Sequence, residues 1–599
     1  MLYFNPLDKF CKSRIGAISA DTNLMFRIYC NAERCTIVFK SDKDNVEIRY
    51  MMSKNGNFFE QEIHLNVGLY WYYFETSDNR KIGMGENFDA VFSNNPNKYQ
   101  LTVYSKDYLV PDWLKGGIIY QIFPDRFYKG DYSAKTPCDK VMHDNWDDCP
   151  IYAPNKLGKV VNNDFFGGNL TGIIEKLDYL VSLGVTAIYL NPIFEAFSNH
   201  RYDTGNYMKI DGLLGDEKIL KELIIKAEEK GIKIILDGVF NHTGDDSIYF
   251  NKYGKYDSIG AFQDPNSKYK SWFKFIKYPS LYESWWGITT LPALDKTSKE
   301  YIDYISGANG VIEHYTKLGI GGWRLDVVDE LPANFVRELR KAVKRTNPNA
   351  IVIGEVWEDA SNKISYGVRR EYFQGKELDS VMNYPLKNAI IHYVENANVK
   401  ELSYVVKEQL DHYPKQVLDS LMNVLATHDT YRLLSAVGEV KVYGKSKEEQ
   451  EKIVMQGEVY ERAKQNLKIA SVLQYTLCGV PSVYYGDEIG MQGYSDPLNR
   501  RTFKWDKQDL DLKNFFVKLG EIRKSYSAFV DGDFEEVYAD NGAYIFKRCS
   551  KDSQLLIVVN KGNEFKILFD NSLTDLISEK TYQEEFIVKE NSFAILVNK

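Results

Sequence analysis

The feature that most constrains this chain is a series of short apolar segments, each closing on polar side chains and each set apart by an amphipathic stretch. Ile118 to Ile122, Val185 to Leu190 and Ile232 to Leu236 read as strands. Between them, Leu170 to Leu183 places Ile173, Leu177, Leu180 and Val181 on one helical face, and Ile219 to Lys230 reads as the next helix. Such β-α units bury their strands on both faces only in a parallel sheet, so a (β/α)8 TIM barrel is expected. Its span is residues 111–527, opening at Pro111-Asp112-Trp113-Leu114 and ending after a helix from Leu512 to Tyr526.

At 599 residues the chain is too long for one core. Residues 1–110 read as an N-terminal β-sandwich, with strands Leu24 to Cys30, Thr36 to Phe39 and Leu69 to Phe74 and a turn-like spacer at Ser53 to Asn57. Short strands return in residues 528–599, at Ala543 to Phe546 and Leu555 to Val559, predicting a C-terminal antiparallel β-domain. Residues 243–298 interrupt the barrel rhythm with a stretch rich in Gly, Tyr, Trp and Ser and without a long helix.

The net charge of −8 carries no long run of one sign, which argues against nucleic acid and anionic membranes as partners. No segment reaches 18 uninterrupted apolar residues, and Met1 to Pro6 lacks the basic-then-apolar pattern of a signal peptide. Seven scattered cysteines without a C-x-x-C pair suit a reducing, cytoplasmic setting. No spacing reads as a zinc, iron or phosphate site, so no metal or cofactor is expected.

Three further apolar runs close on single acids: Asp326 in Gly322-Trp323-Arg324-Leu325-Asp326, Glu355 in Ile351-Val352-Ile353-Gly354-Glu355, and Asp429 in Leu425-Ala426-Thr427-His428-Asp429. Barrel enzymes keep reactive groups at the carboxyl ends of strands. Paired carboxylates are what retaining glycoside chemistry requires, one to attack the anomeric carbon and one to protonate the leaving oxygen. Arg324, two residues before Asp326, faces the same side of a strand and favours an ionised nucleophile. Each run alone is a weak signal, because a buried strand that ends in an acid is common and is more often structural than catalytic.

Together with Gly184 to Phe194, His200-Arg201-Tyr202-Asp203, Ile234 to His242 and Gly479 to Glu488, and in their order along the chain, these segments resemble the α-amylase family, glycoside hydrolase family 13. The resemblance is strong over about residues 111 to 599 and loose before that. It implies a β-glycosyl-enzyme formed on Asp326. It makes Glu355 the acid and then the base, a role needing a proton that closeness to Asp326 and burial beside Trp357 would favour. Asp429 would hold sugar hydroxyls and the distorted ring. Tyr202 would stack on the sugar at the cleavage point, with His242 and His428 donating to hydroxyls and His200 a weaker match. Asp496 and Arg500 match the family's sugar-contacting pair.

Asp329-Glu330 separates subgroups. Glu330 resembles the Asn-Glu of neopullulanases, cyclomaltodextrinases and maltogenic amylases, whereas Asp329 departs from it. Leu291 to Asp295 and Tyr282 to Gly287 resemble the same subgroup and put Trp286 near the acceptor side. The resemblance therefore implies cleavage of α-1,4 bonds, and some α-1,6 bonds, in cyclodextrins, pullulan, maltooligosaccharides and starch, with transfer activity. An oligo-α-glucosidase or glucan transferase is the alternative; a silent glycan-binding relative would usually have lost a carboxylate. Relatives with such an N-terminal module often pair, so a homodimer is expected. The calcium that some relatives hold near the first barrel strand is not expected. Lys129 and Lys135 stand at ligand positions of the first loop, the second reads Gly167-Gly168-Asn169, and calcium needs six to eight oxygens.

Overall fold

The computed structural model describes residues 2–156, 158 and 160–598. Eight parallel strands form its centre: β1 (Ile119–Ile122), β2 (Ala187–Leu190), β3 (Lys233–Gly238), β4 (Gly322–Leu325), β5 (Ile351–Gly354), β6 (Ser380–Val381), β7 (Met422–Val424) and β8 (Val480–Tyr484). The sheet runs β6-β5-β4-β3-β2-β1-β8-β7. A parallel bridge between Met382 and Met422 joins its two ends, so the sheet is a closed barrel. Side chains alternate across the pleat. Ile119, Tyr189, Ile235, Ile353, Val424 and Val480 fill the interior. Tyr120, Leu190, Leu236 and Leu325 face the surrounding helices.

The helical stretch after β1 breaks at Lys176 into Leu170–Glu175 and Leu177–Ser182. The Lys176 ammonium lies over the Tyr128 and Trp505 rings, 3.8 and 4.4 Å from their centroids, and the backbone leaves helical geometry there. In consequence Ile173, Leu177 and Leu180 are buried but Val181 is exposed, contrary to the single-helix expectation. The helix before β3 runs Glu217–Glu229, with the Asp216 side chain accepting from the Ile219 N–H as its cap. The helix that closes this region runs Leu510–Ser525.

Residues 243–298 hold only short turns of helix and the strand pair Phe275–Lys277 with Leu281–Tyr282. They are tied to the barrel by a bridge from His242 to Ala293 and by the Leu294 N–H, which donates to the Asn241 carbonyl at 3.0 Å. The N-terminal strands make two sheets packed about Phe26, Phe39, Tyr72 and Tyr99. The polar spacer is itself structured: Ser53–Asn55 pairs with Phe58–Ile63, and only Gly56-Asn57, with Gly56 at φ 57°, forms the turn. The N-terminal sheets grip their own barrel through a wholly buried Lys12–Asp411 ion pair and by Tyr108, which donates to the Leu378 carbonyl at 2.5 Å. The C-terminal part is an antiparallel six-stranded sheet with a second strand pair, packed about Val558, Val588 and Leu596. Among the described residues no helix is long and apolar enough to cross a membrane.

Candidate active site

Strand register assembles the site. Asp237 pairs with Arg324 across β3 and β4, and Leu325 pairs with Gly354 across β4 and β5. One step further, Asp326 and Glu355 therefore leave neighbouring strands side by side at the barrel's carboxyl end. The Arg324 guanidinium lies beneath all three acids. Its Nη1 donates to Asp237 Oδ1 at 2.9 Å and to Asp326 Oδ1 at 2.8 Å, and its Nη2 is 3.0 Å from Glu355 Oε2. Glu355 also accepts from the Val327 N–H at 2.8 Å and from Trp357 Nε1 at 3.1 Å. Glu355 is buried beside Trp357, as expected; the indole is itself 43% exposed, stacks on Tyr384 at 3.8 Å and reaches the acid with its N–H.

Three carboxylates share one guanidinium. Burial pushes the Asp326 carboxyl well above its ordinary range; Arg324 pulls it back, and Glu355 and Asp237 push it up again. Burial likewise raises Asp237 against the pull of Arg324. Arg324 thus opposes protonation of Asp326, as its position in the sequence suggested, but burial outweighs it. The cluster is short of positive charge and opens on a cleft of about 1530 Å³.

Tyr202 and His428 form one wall of that cleft, their rings parallel within 4° at 5.2 Å. Tyr202 donates to Asp237 Oδ2 at 2.8 Å. Gln121 Nε2 lies 3.0 Å from His428 Nδ1, which assigns the imidazole proton to Nε2, 2.6 Å from the Tyr202 hydroxyl and 3.1 Å from Asp429. Burial keeps this histidine neutral, well below its ordinary pKa. His242 is driven down to about 3, again by burial first. Its Nε2 has no hydrogen-bond partner among the described residues, and its ring stacks on Trp285 at 5.0 Å. His200 also lines the cleft and is also held down to about 3. Asp429 is partly exposed at the rim, and Arg500 joins it at 3.3 Å to Asp496 at 2.8 Å.

Glu330 organises the opposite wall. Its Oε1 accepts from Trp285 Nε1 and Trp286 Nε1, both at 3.0 Å, and its Oε2 accepts from Asn241. Trp286 stands 77% exposed in the left-handed region, φ 50°. Asp329, the departure from the Asn-Glu pattern, also lines the cleft and accepts from the Tyr372 hydroxyl at 2.6 Å, with Lys363 at 3.4 Å.

The thirteen residues singled out from sequence lie on this cleft or, for Arg324, directly beneath it. Sequence reading passed over Asp237 and Tyr366. Asp237 closes the β3 run as visibly as Asp326 closes β4, and the register that pairs it with Arg324 was the missing information. Tyr366 has no signal except the Tyr-Gly turn it begins. At the loops after β1, Lys129 does not pair with Asp131. Instead Asn169 knits the two loops, its Oδ1 accepting from the Gly172 and Gly130 N–H groups and its Nδ2 donating to the Gly130 carbonyl. Among the described residues, Asp359, Glu408 and His412 could together hold a metal, but none of them lines the cleft.

Residues 121–526 match the α-amylase catalytic domain, and the chain belongs to the α-amylase family, glycoside hydrolase family 13. It is 37% identical, over 97% of its own length, to an amylopullulanase of Thermoanaerobacter thermohydrosulfuricus, of which it spans 44%. With a cyclomaltodextrinase of Thermoanaerobacter pseudethanolicus the identity is 31%, over 91% of this chain and 89% of that protein. The solved type III pullulan hydrolase from Thermococcus kodakarensis is similar over the whole of both chains, with a TM-score of 0.70 at 27% identity. The chain thus spans less than half of the amylopullulanase but nearly all of the cyclomaltodextrinase.

Proposed function

We propose that this chain is a retaining α-glucan hydrolase acting by double displacement. The observation that carries the reading is Asp326 and Glu355 on one guanidinium at the mouth of the barrel. Asp326 attacks the anomeric carbon as Glu355 gives its proton to the departing oxygen, leaving a β-glycosyl ester. Water, deprotonated by Glu355, then opens the ester, and two inversions return the α configuration. Asp429, His242, His428, Arg500 and Asp496 hold the hydroxyls of the donor sugar, with Tyr202 stacked on it. Neutral imidazoles suit this work because they donate without demanding a counter-charge. Trp286, Glu330 and Trp357 line the acceptor side.

The names of the similar proteins support cyclodextrins and pullulan as substrates beside maltooligosaccharides and starch. We place the domain limits at 110 and 527, between the N-terminal sheets, the barrel and the C-terminal sheet. Seven unpaired thiols support a cytoplasmic setting. The homodimer rests on the family resemblance, and light scattering that shows a monomer at high micromolar concentration would exclude it. The reading as a whole is tested by giving the purified protein γ-cyclodextrin, pullulan and soluble starch and following early products by proton NMR. Glucan products of α configuration are expected; β-anomers, or no cleavage of any of the three, would overturn it.

A further inference from the structure

A short hairpin, Ile364–Ser365 with Val368–Arg369, projects into the cleft. Its two-residue turn needs positive φ at both positions, and these are Tyr366 at 50° and Gly367 at 75°. Glycine adopts that region freely, but a bulky side chain does so at a cost, and such strain marks functional positions more often than chance. Tyr366 is also 72% exposed, so core packing does not explain it. Its phenol lies against Trp286 and Glu330 on the opposite wall.

The hairpin is held from two sides. On the inner side Ser365 Oγ and Arg370 donate to the Asp329 carbonyl, and Arg370 donates to the Leu331 carbonyl at 2.9 Å. These bonds anchor it to the loop that follows Asp326. On the outer side Arg369 forms a fork on Asp42 of the N-terminal sheets, Nε to Oδ2 at 2.7 Å and Nη2 to Oδ1 at 2.9 Å. Trp71 Nε1 fixes the same carboxylate at 2.8 Å. Gln100 repeats the contact at the hairpin's base, donating to Ser361 and accepting from Asn362, each at 2.8 Å.

We infer that the N-terminal module shapes its own chain's cleft. The Asp42–Arg369 fork sets the hairpin so that Tyr366 meets Trp286 and Glu330 on the acceptor side and with them forms the surface that receives the glucose unit that leaves or arrives there. Asp42 and Arg369 are positioning residues; Tyr366 is a specificity-determining residue for the acceptor sugar. This inference rests on the hydrolase reading.

The test compares two substrates. Maltohexaose fills the acceptor side with glucose, whereas 4-nitrophenyl α-maltoside places only an aryl group there. Asp42→Asn and Tyr366→Ala are each expected to lower kcat/KM on maltohexaose about tenfold, mainly through KM, while changing the aryl maltoside less than about twofold. In the Tyr366→Ala background Asp42→Asn should add nothing, because both act through one contact. Arg369→Lys keeps the charge but loses the fork, and it gives the same readout if Asp42→Asn folds poorly. Equal losses on both substrates, no loss on maltohexaose, or additive effects would overturn the inference. An unmodified chain inert on both substrates would overturn the hydrolase reading and this inference with it.

Discussion

Two buried arginines sit near the carboxyl end of the barrel, and they differ in what surrounds them. Arg126 donates to Asp125 at 2.7 Å, to the Arg500 carbonyl at 3.0 Å and to the Asp164 carbonyl at 3.2 Å. Its acids are saturated in turn: Asp125 accepts from the Phe166 and Gly167 N–H groups, and Asp164 from Asn199 and the Ile151 N–H. Around Arg324, by contrast, Asp326 has one donor among the described residues, and Nε and Nη2 of the arginine lack well-directed acceptors there. Both clusters are buried ion pairs, so burial does not separate structure from chemistry. Carboxylate oxygens left unsatisfied, and open to a cleft, do separate them.

The contrast can be broken by exchanging the consequences of two similar substitutions. Asp326→Asn and Glu355→Gln should each lower turnover by about a thousandfold or more, equivalent to roughly 4 kcal/mol of barrier, with little change in melting temperature. Asp125→Asn should do the reverse. It leaves Arg126 buried with only the more distant Asp164 carboxylate, 3.8 Å away, a loss of about 3 kcal/mol of stability, while turnover of the folded protein stays within about tenfold. Paired activity and melting measurements check both. A stable Asp125→Asn protein that is as inactive as Asp326→Asn would end the comparison.

A smaller effect is expected in the pH profile. Asp326 must be ionised to attack, and its raised pKa moves the acid limb of kcat/KM above the ordinary 3.8. Arg324 opposes that rise, so Arg324→Lys, which loses the forked contact, should move the limb to still higher pH. A limb that stays in place would show that Arg324 does not control the nucleophile. Smaller again, His242→Asn should cost about ten- to a hundredfold in kcat, because its bond to a hydroxyl strengthens only at the transition state. An unchanged kcat would remove His242 from the donor site.

The smallest effect concerns an ion pair far from the chemistry. Burial lowers His412, but its bond to Asp359 outweighs this and raises it. Burial raises Asp359, and His412 with the neighbouring Ser361 donors outweighs that and lowers it. The raised histidine stabilises fully below 6.5 and loses its contribution as pH rises through its folded value. The lowered acid stabilises above 3.8 and loses its contribution as pH falls. His412→Gln should therefore lower the melting temperature by a few degrees between those limits and by less at pH 9. A loss independent of pH would assign His412 to packing alone.

The barrel was legible because its strands are apolar on both faces and end abruptly in polar groups, as at Leu325-Asp326 and Gly354-Glu355. The residues around the nucleophile were legible for the same reason, since each closes such a run. What escaped the sequence depends on pairing between distant segments. Asp237 acquires its place only through register with Arg324, and Tyr366 only through a hairpin anchored 327 residues away, at Asp42. The helix break at Lys176 was equally hidden, because the rings that hold its ammonium, Tyr128 and Trp505, come from two other parts of the chain.

The central claim, that Asp326 forms a covalent bond to sugar, is open to one direct measurement. A Glu355→Gln protein mixed with 5-fluoro-maltosyl fluoride retains the nucleophile but lacks the base that would release the ester, so the glycosyl-enzyme should accumulate. Intact mass spectrometry should show one added glycosyl unit per chain, and peptide mapping should place it on Asp326. No adduct, despite steady release of fluoride, or an adduct on Asp237 or Asp429 instead, would contradict the account.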